Sequence, residues 1–451
     1  MTHSGQPSLS ETGSFEVPLI ERVLGPFQRF FATSAAGGLV LLASTVLALA
    51  WANSPWADSY HHFWETSVTL GTPHFGMTMP LHGWVNDGLM AVFFLFVGLE
   101  IKREILVGEL ASRRTATLPV AAALGGMIAP ALLYASVNMS GSGASGWGVP
   151  MATDIAFALG VVALLGNRVP SGIRVFLAAL AIADDLGAVL VIAIFYTNQL
   201  DLQALAGVAA VMLVLLGLYM AGARRPITYA ILGVVLWLFV LASGIHATIA
   251  GVLLAIMIPA RTRINEDVFL RKAEASLAAF RSSDVPGTTV LSNPGHQQAL
   301  HMMERAVDAV QAPLQRMEHA LHGVVAFVIM PIFAFANAGV ALGHDFLATL
   351  QSPITIGIAL GLIVGKPVGI ALASLLAVRT GIADLPAGVT WRHIIGAGCL
   401  GGIGFTMSLF IAGLAFHDAE LLDTAKLAVL GASICSGIVG ILILRQAKPV
   451  S

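Results

Sequence analysis

Twelve apolar tracts, each bounded by charges or turn residues, recur along the chain at about 34–51, 84–106, 116–137, 148–166, 171–196, 201–221, 226–241, 244–259, 320–342, 353–378, 391–416 and 425–444. Water cannot be the solvent for so many, because only 11% of the 451 residues are charged, against about 25% in soluble domains. A bilayer asks for roughly 20 apolar residues per span and for a backbone that satisfies its own polar groups, which a helix does. The expected fold is an all-α polytopic membrane protein with about twelve transmembrane helices. The pair at 226–259 is crowded, since Ser243-Gly244 is nearly its whole connection, so eleven or thirteen spans stay open.

Lys and Arg collect in loops left on the cytoplasmic side. With twelve spans, all but two of the 23 basic residues fall on one side; the exceptions are Lys366, inside a span, and Lys426, at the outer start of the last. Both termini are then expected to be cytoplasmic. The domain plan is a cytoplasmic tail (1–33), spans one to eight (34–259) with an outer loop at 53–83, a cytoplasmic loop (260–318), spans nine to twelve (319–445) and a short tail (446–451). The first thirty residues lack a basic stretch followed by a cleavable apolar core, so the first span is expected to remain as an anchor. Gly71, Pro73, Gly76 and Pro80 suggest a small hairpin in the outer loop, a contact for a second copy. Residues 299–310 carry apolar positions at helical spacing, an amphipathic helix approaching the membrane, after a flexible break at 282–294. A net charge of −2 argues against nucleic acid as a partner. Cys399 and Cys435 lie in apolar stretches and read as small hydrophobes.

Ionisable groups inside spans are costly and mark function. Asp87 opens the second span, Asp154 lies in the fourth, Asp184 and Asp185 in the fifth, and Lys366 in the tenth. Lys366 is about 12 residues from either end of its span, roughly 18 Å of helix, beyond the reach of a snorkelling stem. It has to meet a carboxylate or a water-filled cavity, or lose its proton. Neighbours on a helix point about 100° apart, so one of Asp184 and Asp185 is expected to pair with Lys366 while the other faces an aqueous funnel. Three carboxylates against one lysine leave surplus negative charge, and hard oxygen ligands that also titrate suit a small cation or a proton as cargo.

Two tracts look interrupted. Gly146, Gly148 and Pro150 precede Thr153-Asp154, and five glycines between Gly396 and Gly404 precede Phe405-Thr406; such residues disfavour a continuous helix. Spans 3–5 and 10–12 are offset by an odd number, so one trio runs inverted relative to the other, and each carries its break in the middle member. Two inverted repeats with discontinuous crossing helices, spans 4 and 11, are a transporter architecture. Asp154 would neutralise the positive ends of the half-helices.

The strings VFFLFVGLEIKRE (92–104), ATDIAFALG (152–160), AIADDLGAV (181–189), SGIHATIAG (243–251), PIFAFANAG (331–339), GKPVGI (365–370) and GGIGFTMSLFIAGLAF (401–416), in this order, resemble the bacterial NhaA-type sodium/proton antiporters over about 33–445. That family is itself a known example of inverted-repeat architecture, so the repeat pattern and the resemblance are not independent of each other. The resemblance implies secondary active exchange of cytoplasmic Na⁺ or Li⁺ for external H⁺ across a bacterial cell inner membrane, electrogenic and pH-regulated, by a homodimer needing no cofactor. It implies that Asp184 pairs with Lys366, that Asp185 is the main cation ligand, and that Asp154, with Thr153, sits at the helix crossing as a further metal-binding carboxylate. Asp87 is accessory. Glu100, Arg103, Glu104, His246, Glu318, His319 and His322 match the pH-response region. The long tail and the 260–318 loop depart from the family's shorter members.

Na⁺ and H⁺ competing for the same carboxylates would make exchange obligatory. Two protons entering per Na⁺ leaving would carry one net charge inward, driven by about 2.3 kcal/mol per 100 mV. A cation channel and an intramembrane aspartyl protease are the rival readings, although adjacent Asp184 and Asp185 cannot converge on one peptide. Glu318-His319 with His322 spells EHxxH rather than the zinc-enzyme HExxH.

Overall fold

The structure, a computed structural model, describes residues 36–72, 75–197, 200–285, 289–341 and 346–447. The tail expected at 1–33, with Arg22 and Arg29, lies outside them, as does Lys448.

The described residues are helical almost throughout. The first helix, α1 (Ala36–Ala52), bends by 114° into α2 (Ala57–Glu65). The expected hairpin follows as β1 (Ser67–Thr72) and β2 (Phe75–Pro80), antiparallel, with Thr69 opposite Thr78 and their hydroxyls 2.8 Å apart. A π-helical turn, Trp84–Leu89, leads into α3 (Met90–Val107). Then come α4 (Arg113–Asn138), a 3-10 segment (Ala144–Met151), α5 (Ile155–Leu165), α6 (Ser171–Phe195), α7 (Leu202–Met220), α8 (Pro226–Ala242) and α9 (Ile249–Met257). The 260–318 loop holds α10 (Glu266–Ser282) and α11 (Pro294–Val310). The remaining chain forms α12 (Pro313–Val324), α13 (Met330–Asn337), α14 (Phe346–Gln351), α15 (Pro353–Leu360), α16 (Lys366–Arg379), α17 (Trp391–Gly401), α18 (Phe405–Ala415) and α19 (Ala419–Gln446).

Among the described residues, length and apolarity alone qualify seven segments to cross a membrane, or nine if each bent pair is one span. Three of the twelve expected tracts fall short for identifiable reasons. The second carries Glu100, Lys102, Arg103 and Glu104 at one end of α3. The seventh, α8, has 17 residues. The eighth has only nine in α9, because Gly244 takes a left-handed conformation (φ 84°) and the chain turns before the helix begins. Leu39 and Leu47 on α1, Leu132 on α4, Leu213 on α7, Ile231 on α8 and Leu376 on α16 are all exposed. Apolar side chains facing outward from so many helices of the bundle suit lipid as the solvent.

The most extensive helix contact is between α4 and α16. Gly125 and Gly369 face each other there so closely that a Cβ on either would strike the other's carbonyl, the close backbone approach that small residues permit. Another π-helical turn, Gly361–Gly365, ends directly at Lys366 and seats against Pro130, buried within α4. Local widenings of this kind recur at functional sites.

In the 260–318 loop, residues 294–310 form the expected amphipathic helix, which packs against α10 as a hairpin. Ala299 and Ala306 are buried, and His296 stacks on Phe280 with ring centroids 4.1 Å apart. The described part of the break at 282–294 is fastened. Asn293 donates to the Ser283 carbonyl (2.6 Å) and caps α11 by accepting from the amides of Gly295 and His296.

Candidate ion-binding site at the helix crossing

Both interruptions read from glycine and proline are present, and they touch. Ala152 and Asp154 are extended between the 3-10 segment and α5; Gly402, Ile403 and Gly404 separate α17 from α18, which bend by 46°. The Asp154 amide donates to the Ile403 carbonyl at 2.7 Å, and the Thr153 hydroxyl donates to the Gly401 carbonyl at 2.7 Å.

Four half-helix ends therefore meet away from water, each with backbone groups lacking an intrahelical partner. At the amino ends Asp154 serves two helices at once. Its Oδ1 accepts from the Phe157 amide of α5 (3.1 Å), while Oδ2 accepts from the Thr406 amide of α18 (3.2 Å) and from the Thr406 hydroxyl. A carboxylate is the charge that two converging helix N-termini favour. At the carboxyl ends, Lys366 Nζ donates to the Met151 carbonyl, and Ser408 donates to the Val149 carbonyl at 2.7 Å. Ser436 donates to the Cys399 carbonyl at 2.8 Å.

Lys366 also reaches the carboxylate it was expected to need. Its Nζ lies 2.6 Å from Asp184 Oδ2, and both side chains are wholly enclosed. Asp184 is thus the partner, and Asp185 is the other aspartate. The expectation that Asp185 faces an aqueous funnel is not met: it is 1% exposed. The reason is packing, since α6 is covered by α3, α4, α5, α17 and the 3-10 segment. Asp185 Oδ1 is buried without a hydrogen-bond partner, and so is Asp184 Oδ1. The field at Asp185 comes from Asp184, Glu100 and Asp154 on the negative side and Lys366 on the positive.

The residues matched to pH response fall into two groups rather than one. Near the carboxyl end of α3, Arg103 Nε lies 2.9 Å from Glu318 Oε1 and its guanidinium 3.0 Å from Glu104. Arg103, Gln315, Arg316, Glu318, His319 and His322 line a cavity of about 620 Å³. Glu100 lies within the fields of Arg103, Glu104 and Glu318. His246 is elsewhere. It sits 3.5 Å from Asp87, hydrogen-bonds Thr248 at 2.8 Å and packs edge-on against Phe410. Asp87 and Arg103 are sixteen residues apart along one helical run, about 24 Å.

Sequence reasoning misses Thr406 as a site residue, and it misses His82. Thr406 could have been found by symmetry, because it follows its break as Asp154 follows the other. His82 lies at the base of the hairpin, 3.1 Å from Asn337 Oδ1, and burial, aided by Lys426, holds its imidazole below the ordinary histidine value of 6.5. Nothing in its sequence neighbourhood announces this.

Comparison with known proteins gives consistent matches. A sequence profile described as Na⁺/H⁺ antiporter 1 matches residues 28–444. The chain is 50% identical over 426 residues to the Na(+)/H(+) antiporter NhaA of Oleidesulfovibrio alaskensis, covering 94% of this chain and 95% of that protein. It is 50% identical over 428 residues to the protein of the same name from Acidithiobacillus ferrooxidans, covering 94% and 98%. With the Koribacter versatilis protein, also so named, identity is 47% over 425 residues, covering 94% and 92%.

Proposed function

The chain belongs to the Na⁺/H⁺ antiporter 1 family, a polytopic membrane transporter and not an enzyme, and from that premise we propose how its buried carboxylates exchange Na⁺ or Li⁺ for H⁺. Asp185 is the group that changes occupant. The observation that carries this is its enclosed, unpartnered Oδ1 on a carboxylate that has no ion pair among the described residues, whereas Asp184, whose Oδ1 is also unpartnered, is paired through Oδ2. Asp184 is held by Lys366, and Asp154 is held by two helix N-termini. A buried carboxylate oxygen without a partner is costly on a bare anion, so the group holds either a proton or an alkali cation. Asp184 and Thr153 complete the oxygen-rich surroundings, and Asp154 keeps the crossing electrically balanced.

Release of a second proton, from Asp184 or from Lys366 as the metal ion enters, would make the exchange two H⁺ for one Na⁺ and therefore electrogenic. Our reading retains twelve spans, inverted repeats of spans 3–5 and 10–12, cytoplasmic termini and an inner-membrane location. Support comes from the basic residues gathered on one side and from matching breaks in the middle member of each trio. The Arg103–Glu104–Glu318 cluster with His319 and His322 is read as the cytoplasmic pH-responsive entrance, and the β1–β2 hairpin as the contact between two copies.

The test is exchange by purified protein in liposomes. Addition of Na⁺ should collapse an imposed pH gradient, faster when the membrane voltage is clamped, and Asp185→Asn should abolish the response. Persistent exchange in that variant would refute the assignment of Asp185.

A further inference from the structure

The α10–α11 hairpin belongs to the loop by which this chain departs from the family's shorter members, and it is fastened to the entrance cavity. The two ends of the hairpin are tied together, since the amides of Arg263 and Ile264 donate to the Ala309 carbonyl at 2.9 and 3.3 Å. The start of α12 is anchored beside them, where the Leu314 amide donates to the Pro259 carbonyl at 3.2 Å. Across this junction Asp308, in the last turn of α11, lies 2.9 Å from the guanidinium of Arg316, in the first turn of α12.

Arg316 lines the cavity of about 620 Å³ together with Arg103, Glu318, His319 and His322. Two guanidiniums therefore share a space with one lining carboxylate. Arg103 holds it, at 2.9 Å from Glu318, and also meets Glu104. Among the described residues the ion-pair partner of Arg316 is Asp308, which does not itself line the cavity. Other charges stand around the junction: Glu100 on α3, Glu304 and Arg305 on α11, and Arg261 and Arg263 on the segment before α10. Glu304 is engaged with His301 at 3.1 Å. The side chains of Asp308 and Arg316 are 59% and 38% exposed, and such a pair adds little to stability. Its effect falls on the field inside the cavity.

We propose that Asp308 is a positioning residue for the pH response: by holding Arg316 it keeps the second guanidinium away from Glu318, His319 and His322, so that the α10–α11 hairpin fixes the pH at which the entrance titrates. The proposal rests on the reading of this cavity as the pH-responsive entrance. Without the Asp308 charge, Arg316 is uncompensated and free to turn toward Glu318. A positive charge brought nearer favours the neutral form of an imidazole and the ionised form of a carboxyl. Both changes move deprotonation to lower pH. For a unit charge about 8–10 Å from the titrating group, at an effective dielectric near 40–60, the displacement is about 0.4–0.8 pH unit.

The experiment measures the pH profile of Na⁺/H⁺ exchange by the full chain in proteoliposomes, with ionic strength set by choline chloride. Asp308→Asn should move the midpoint about 0.4–0.8 unit to lower pH at low salt, and less at about 0.5 M, where charges are screened within a few ångströms. Asp308→Glu should keep the wild-type midpoint. Arg316→Gln should move it to higher pH, and in that background Asp308→Asn should produce less than half of its usual displacement. A midpoint that Asp308→Asn leaves in place or moves to higher pH, or an equal displacement in both backgrounds, would overturn the proposal. If Asp308→Asn does not fold, Arg316→Gln decides, because a midpoint that it leaves unmoved or lowers is equally contrary. Wild-type exchange indifferent to pH would overturn the reading of the cavity as a pH-responsive entrance, and wild-type protein without exchange would overturn the antiport reading; the proposal falls with either.

Discussion

The ammonium of Lys366 and the carboxylate of Asp184, 182 positions apart in sequence, meet at 2.6 Å with neither side chain touching solvent. Breaking such a pair from one side leaves an uncompensated buried charge, at a cost of about 3–5 kcal/mol. Lys366→Ala should therefore lower the melting temperature in detergent sharply. The double variant Lys366→Ala/Asp184→Ala should recover much of that loss, because both desolvated charges are gone. Equal or greater destabilisation of the double variant would mean that the two groups do not act as a pair.

Asp154 caps two helices with one side chain. Asp154→Ala should cost about 2–4 kcal/mol, twice the usual loss for one cap, and slow transport as well. Asp154→Asn keeps one acceptor oxygen and should fall between Ala and wild type in thermal stability. Thr406→Val, which removes only the hydroxyl contact, should cost about 1 kcal/mol. A Thr406→Val loss as large as that of Asp154→Ala would contradict the division of roles.

His82 gives a pH dependence with a definite sign. Its folded value lies below 6.5 because of burial and then Lys426, so the unfolded chain binds a proton that the folded chain refuses. The contribution is in place above pH 6.5 and is lost as the pH falls below it. His82→Gln should flatten the decline of melting temperature on acidification from about pH 6.5 to about pH 5 while changing little near pH 8. An unaltered acid-side slope would show that His82 does not titrate in this way.

Arg103 and Glu318 join α3 to α12 through a partly exposed contact at 2.9 Å. Exposed pairs contribute little to stability, so the expected effect is on activity. Glu318→Gln and Arg103→Gln should each displace the pH profile of exchange, and the double variant should move it no further than the larger single shift. Additive displacements would mean that the two residues act independently.

Much of this arrangement is legible in sequence because lipid penalises so few residue types so heavily. Lys366 calls for a carboxylate, a water-filled cavity or the loss of its proton, and glycine marks both breaks, with proline at the first. Without the resemblance, the residues alone do not say which of Asp184 and Asp185 turns toward Lys366, since that depends on the rotation of α6 among five neighbours. The separation of His246 from the Arg103 cluster is hidden because its position is set by α9, a helix too short to show periodicity. Burial of Asp185 and partial burial of His82 arise from elements distant in sequence, and pattern alone carries no trace of such packing. The hairpin of α10 and α11 is half visible, because only the apolar positions of its second helix stand out among the charges.

Exchange as proposed requires that Asp185 hold H⁺ and Na⁺ in turn and never together. Titration calorimetry of Na⁺ into purified wild-type protein over a series of pH values tests it most directly, with Asp185→Asn as the blank. For each proton displaced, the apparent dissociation constant should rise about tenfold per unit of acidification once the site is protonated, and heat should scale with the ionisation enthalpy of the buffer. Sodium affinity that stays constant with pH, or binding that survives in Asp185→Asn, would contradict this alternation.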